Sequence, residues 1–132
     1  MAKRKYMPHG MPAYSDLINP TITALQNLGG SGKIDEIYNE VLKILSLPDT
    51  VIDFQHSEKS SQSELQYRLA WARTYLKNYG IIDNSSRGVW VILPQHKDIK
   101  SVDVDDCVTK VRSMFDKKTS TIPQNDDDLE DD

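Results

Sequence analysis

The chain has 132 residues, of which 38% are hydrophobic and 27% charged, and its formal net charge is −4. That length holds one domain with a modest core and some tail; the apolar share falls below the roughly 45–50% usual for globular domains, so part of the chain lies outside any core. A single cysteine, Cys107, excludes an internal disulfide, the scattered His9, His56 and His96 build no metal motif around it, and neither a signal peptide nor an 18-residue apolar span appears. These features predict no cofactor, no metal, no membrane partner and a cytoplasmic setting.

The negative charge is local. Six of the 20 acidic residues fall within Asp126–Asp132, leaving 14 against 16 Lys and Arg, a balance of +2 for residues 1–125. The body is mildly basic, and the acid is a tail.

In chain order, residues 1–13 carry Lys3-Arg4-Lys5 with Pro8, Gly10 and Pro12, the composition of a flexible basic arm. From Tyr14 to Leu28 the positions Leu17, Ile18, Ile22, Leu25 and Leu28 fit one helical stripe. Pro20 predicts either a kink or a restart with Asn19 as cap. Gly29-Gly30-Ser31-Gly32 ends that helix, and Lys33-Ile34 is placed to add a third strand to a later hairpin. A second helix follows over Asp35–Leu45, with Ile37, Val41, Leu42 and Leu45 on one face. Within the polar connection 46–60, Asp49 caps a single turn that directs Val51, Ile52 and Phe54 inward.

The main helix is predicted over 62–79, because Leu65, Leu69, Ala72 and Leu76 recur on a single face. Ser61 and Glu64 have capping-box spacing, and Gly80 stands where a left-handed cap is wanted. Ile81-Ile82-Asp83 and Val89–Leu93 then read as two short strands around a five-residue loop, 84–88. A third apolar stripe, Val104, Cys107, Val108, Val111 and Phe115, predicts a C-terminal helix over 103–117 that either folds back or mates with a second copy. Residues 119–132, with Pro123 and the acidic run, predict a disordered acidic tail. The fold class is therefore mostly α with a small β-hairpin (α+β): a winged helix-turn-helix over 14–94, extended by a linker and one extra helix over 95–118. Leu25, Ile37, Val41, Leu65, Leu69, Ala72, Leu76, Ile82 and Val91 are its expected core.

The run Trp71-Ala72-Arg73-Thr74-Tyr75-Leu76-Lys77, followed by Gly80-Ile81-Ile82 and Arg87-Gly88-Val89-Trp90, resembles the N-terminal winged-helix domain of the Mrr-type restriction proteins. With Pro12-Ala13-Tyr14 the resemblance covers roughly residues 12–94. It implies a domain that reads duplex DNA for proteins that cut modified DNA, with a nuclease domain or subunit as a further partner.

Independently of the resemblance, a helical plot places Ser63, Gln66, Tyr67, Ala70, Arg73, Thr74 and Lys77 opposite the leucine stripe, and Gln62 lies at its start. Amide, hydroxyl and cationic side chains around a small residue suit the major groove, and Arg87 at the hairpin tip suits a phosphate. The candidate DNA-binding residues are thus Gln62, Ser63, Gln66, Tyr67, Arg73, Thr74, Lys77 and Arg87. Arg68 falls beside the leucine stripe and is expected to meet a carboxylate, while Trp71 and Trp90 are expected in the core. Asp98-Ile99-Lys100 and Asp116-Lys117-Lys118 match a short nuclease element, but too little chain follows the hairpin to build the α/β core which that chemistry needs. The sequence reading is a non-catalytic DNA-binding module, and its alternative is a winged-helix protein-interaction module or small transcriptional regulator.

Overall fold

The structure, a computed structural model, describes residues 7–57, 59 and 61–118. The acidic tail 119–132 and residues 1–6 of the arm, with Lys3-Arg4-Lys5, lie outside that range. A 3-10 turn, Tyr14–Leu17, leads directly into α1, Ile18–Asn27. Pro20 neither kinks this helix nor follows an Asn19 cap: it occupies the first turn, where no amide has an intrahelical acceptor to lose. Asn19 instead exchanges hydrogen bonds with the backbone of Val102, accepting from its N–H at 2.8 Å and donating to its carbonyl at 3.3 Å.

Strand β1 is Ser31–Lys33, and α2, Ile34–Leu45, begins at once. The Lys33 backbone N–H donates to Glu36 Oε1 at 2.8 Å, which satisfies a donor at the strand-to-helix corner. Gly32 leaves room here for the Leu28 side chain, whose Cδ1 a Cβ would approach to 2.8 Å and displace. A single turn, α3, Asp49–Ile52, buries Val51 and leaves Ile52 and Phe54 half-buried, but Asp49 is its first residue rather than its cap: Pro48 takes the cap position, and no side chain bonds the turn's amides there.

Helix α4, Glu64–Tyr79, starts two residues later than the spacing predicts. Ser63 is its N-cap: Ser63 Oγ accepts from the Gln66 N–H at 3.0 Å, and Gln66 Oε1 accepts from the Ser63 N–H at 2.9 Å. The capping box is therefore Ser63–Gln66 rather than Ser61–Glu64, because the bridge pairing Gln55 with Ser63 keeps the chain extended up to that point. At the other end Gly80 adopts φ 94°, and its N–H donates to Leu76 and Lys77.

Strands β2, Ile82–Ser86, and β3, Val89–Ile92, complete an antiparallel sheet of order β1-β3-β2. The fold is α+β and winged-helix-like. The five-residue loop expected at 84–88 is not present. Pairing continues to Ser86 through an irregularity after Asn84, and the turn is Arg87-Gly88, with Gly88 at φ 77°. The Gly88 carbonyl accepts from the Ile34 N–H at 3.2 Å, tying the hairpin tip to the start of α2.

The core forms where α1, α2 and α4 meet the inner face of the sheet. Leu25, Ile37, Val41, Leu65, Leu69, Ala72, Leu76 and Ile82 all belong to it. Val91 does not. Alternation along β3 sends Trp90 and Ile92 inward and leaves Val91 half-exposed, paired with Ser31 and Asp83 on the outer face.

After a second 3-10 turn, Pro94–His96, the chain lies along α1, where Gln26 Nε2 donates to the Lys97 and Ile99 carbonyls. Helix α5, Val104–Lys118, then packs on α4 with Cys107 and Val111 fully buried. The fold-back version of the expectation is the one observed. Cys107 and Val111 of the apolar stripe are buried within the chain, and Val104, Val108 and Phe115 are half-buried beside them.

Candidate nucleic-acid interface

The eight residues expected to face DNA do not share one environment. Packing on the leucine stripe fixes the rotation of α4, and the sheet and α5 then cover its two flanks. Ser63 and Gln66 satisfy each other's backbone amides at the N-terminus, so their polar groups hold the helix start rather than await a base edge. Gln62 is half-buried in the segment just before the cap. Tyr67 is half-buried and stacks on His56, with ring centroids 3.8 Å apart.

Arg73 is the largest correction. It is 1% exposed and lies over the Trp90 ring, 5.4 Å from the centroid, between α4 and the sheet. A planar, delocalised cation on an indole face is a favourable contact once both are removed from water. Arg73 is thus part of the junction between helix and hairpin, and Ala70, also expected on the open face, is fully buried. Both Trp90 and Arg68 occupy the roles read from sequence: Trp90 is 2% exposed, and Arg68 Nε donates to Glu64 Oε2 at 2.7 Å.

What remains towards solvent is a narrower set. Thr74 is half-buried one turn before Asn78, whose Nδ2 donates to the Thr74 carbonyl at 2.8 Å. Lys77 is exposed, and its Nζ donates to Asn84 Oδ1 at 3.1 Å, joining the end of α4 to β2. Arg87 is exposed at the hairpin tip, and Lys33 is exposed on β1 opposite Val89. Asp83 is also exposed, so the cations do not stand alone on this side. Asn78, Asn84 and Lys33 escaped the sequence reading. Asn78 could have been found by carrying the helical plot of the open face one position past Lys77, whereas Asn84 and Lys33 depend on strand register.

A model of the Mrr N-terminal domain matches residues 14–101. The chain belongs to that family. The match spans the 3-10 turn, α1 to α4 and the sheet, and it stops before α5, so the C-terminal helix of this Mrr N-terminal domain lies beyond the matched region. Neither the curated proteins nor the solved structures yielded a match. Among the described residues no group of three or more His, Cys, Asp or Glu side chains could hold a metal ion, and no helix is long and apolar enough to cross a membrane. Asp98 and Lys100 sit exposed in the connection that follows the hairpin.

Proposed function

We propose that this chain is a duplex-DNA-binding module of an Mrr-type system, without catalysis of its own. The outer face of α4 reads the major groove, and the hairpin lies along the backbone. The observation that carries this reading is the Lys77–Asn84 hydrogen bond, because it couples the end of the helix to the hairpin and so gives Thr74, Lys77, Asn78 and Arg87 one common support. Phosphate contacts then come from Lys77, Arg87 and Lys33, and base contacts from Thr74 and Asn78. Such contacts release counterions, so affinity falls steeply with salt.

A mobility-shift series on a mixed-sequence duplex at several salt concentrations tests the reading. The expected result is a log–log slope of about −0.9 per phosphate neutralised, with roughly three phosphates engaged. One observation favours a second reading, a protein-interaction module: burial of Arg73 and exposure of Asp83 thin the basic surface. Absence of duplex binding even at about 50 mM salt, where phosphate contacts are strongest, would transfer the assignment to that second reading.

A further inference from the structure

A groove of about 780 Å³ is lined by residues of the first 3-10 turn, α4 and α5. Its volume lies within the roughly 300–1,000 Å³ of small-molecule sites. Tyr14, Tyr67, Trp71, Tyr75 and Phe115 form its walls. The rings of Tyr14, Trp71, Tyr75 and Phe115 make a continuous aromatic surface: Tyr14 and Tyr75 lie 4.9 Å apart between centroids, Trp71 and Tyr75 6.1 Å, and Tyr75 and Phe115 5.9 Å edge to face; Tyr67, one turn before Trp71, keeps one ring face on His56.

Charge decides what such a surface accepts. Arg68, Arg112 and Glu64 also line the groove, a balance of +1, which disfavours the cationic ligands that aromatic cages otherwise hold. Arg68 is committed, with Nε on Glu64 and Nη1 donating to the Pro12 carbonyl at 2.9 Å. Arg112 is exposed, and its Nη2 donates to the Tyr14 hydroxyl at 3.2 Å. Hydrogen bonds to the Tyr75 and Tyr14 hydroxyls raise its pKa further, so it is cationic at every working pH. The groove therefore combines a wall for a flat ring with a fixed cation for an anion. Tyr67 and Trp71 also belong to α4, each about two turns before Thr74 and Asn78 respectively, which makes the wall continuous with the candidate duplex face.

We propose that this groove binds a nucleobase together with its phosphate, the ring against Trp71 and Tyr67 and the phosphate on Arg112. Its source is either a free nucleotide or an unpaired base of a bound strand, and only the second rests on the duplex reading above.

Titration of the full chain with dAMP and with deoxyadenosine, followed by NMR of the aromatic and indole signals, tests it. dAMP is expected to move the Trp71 and Tyr67 signals. Arg112→Gln, an exposed change, should weaken dAMP about tenfold, the loss of one charge-assisted hydrogen bond, and leave deoxyadenosine unchanged. Tyr67→Ala should weaken both ligands, about tenfold, through lost stacking. Two duplexes, one with a single bulged 2-aminopurine and one fully paired, separate the sources: preference for the bulge assigns the base to a strand, and equal binding assigns the groove to free nucleotide. If dAMP leaves those signals unmoved, or if Arg112→Gln affects dAMP and deoxyadenosine alike, the proposal is overturned. Duplex binding with a silent groove would remove only the groove. A responsive groove without duplex binding would remove only the duplex reading.

Discussion

Side chains that look alike in a helical plot do different work here. Arg73 and Lys77 are one turn apart, yet one guanidinium is buried on Trp90 and the other cation is exposed beside Asn84. Arg73→Met should lower stability to urea by about 2 kcal/mol, the worth of a desolvated cation–π contact, with any loss of DNA affinity following the unfolded fraction. Lys77→Met should leave the unfolding free energy measured in urea within about 0.5 kcal/mol, as for a surface position, and act on binding alone. Gln66 and Ser63 follow the same logic. Ser63→Ala should cost about 0.5–2 kcal/mol through the lost cap, measured by denaturation, and leave sequence preference among duplexes unaltered.

Among the elements, α4 packs against α1, α3, α5, β2 and the first 3-10 turn. Leu69 is 1% exposed at its centre, and Leu69→Ala should cost about 2–5 kcal/mol in a urea titration; a change below about 0.5 kcal/mol would mean that the buried face is misassigned. Helix α5 is held to α4 by its apolar stripe and by the Tyr79 hydroxyl donating to Asp106 Oδ2. That hydrogen bond pushes the Tyr79 phenol from 10.0 up to about 12 and lowers the Asp106 carboxyl below its ordinary 3.8. Because the folded phenol is raised, its contribution is complete below pH 10 and is lost as pH climbs towards 12. Because the folded carboxyl is lowered, its contribution is complete above 3.8 and is lost as pH falls through the lower folded value. Cys107 reports on both. Burial first, then the neighbouring Asp106, pushes its thiol up to about 11, so alkylation at pH 8 should be slow. Tyr79→Phe should speed it, and an unchanged rate would show that packing alone retains α5.

Across the whole molecule, the test of function is how mutants fail. Arg87→Ala should weaken binding to all duplexes alike and make the salt slope shallower by roughly one unit, whereas Asn78→Ala should chiefly change preference among sequences, by about 1–3 kcal/mol. Competition binding at two or more salt concentrations separates the outcomes. If both variants change affinity equally for every sequence, α4 does not read bases.

Local periodicity and turn chemistry determined the number and order of the main helices, the hairpin, the glycine stop at Gly80 and most of the core, because each of these rests on neighbours within a turn or two of the chain. The family was legible for the same reason: the residues from Trp71 to Lys77 and from Arg87 to Trp90 are contiguous runs. Tertiary structure decided the rest. Whether Arg73 meets solvent depends on Trp90, 17 residues later, and whether Asn84 steadies Lys77 depends on the register of a hairpin whose turn proved to be two residues. Nor could any stripe plot show that Tyr14, Trp71, Tyr75 and Phe115 form one wall, since they come from three elements brought together only when α5 folds back. A helical plot gives the direction of a side chain; it does not say what stands in that direction.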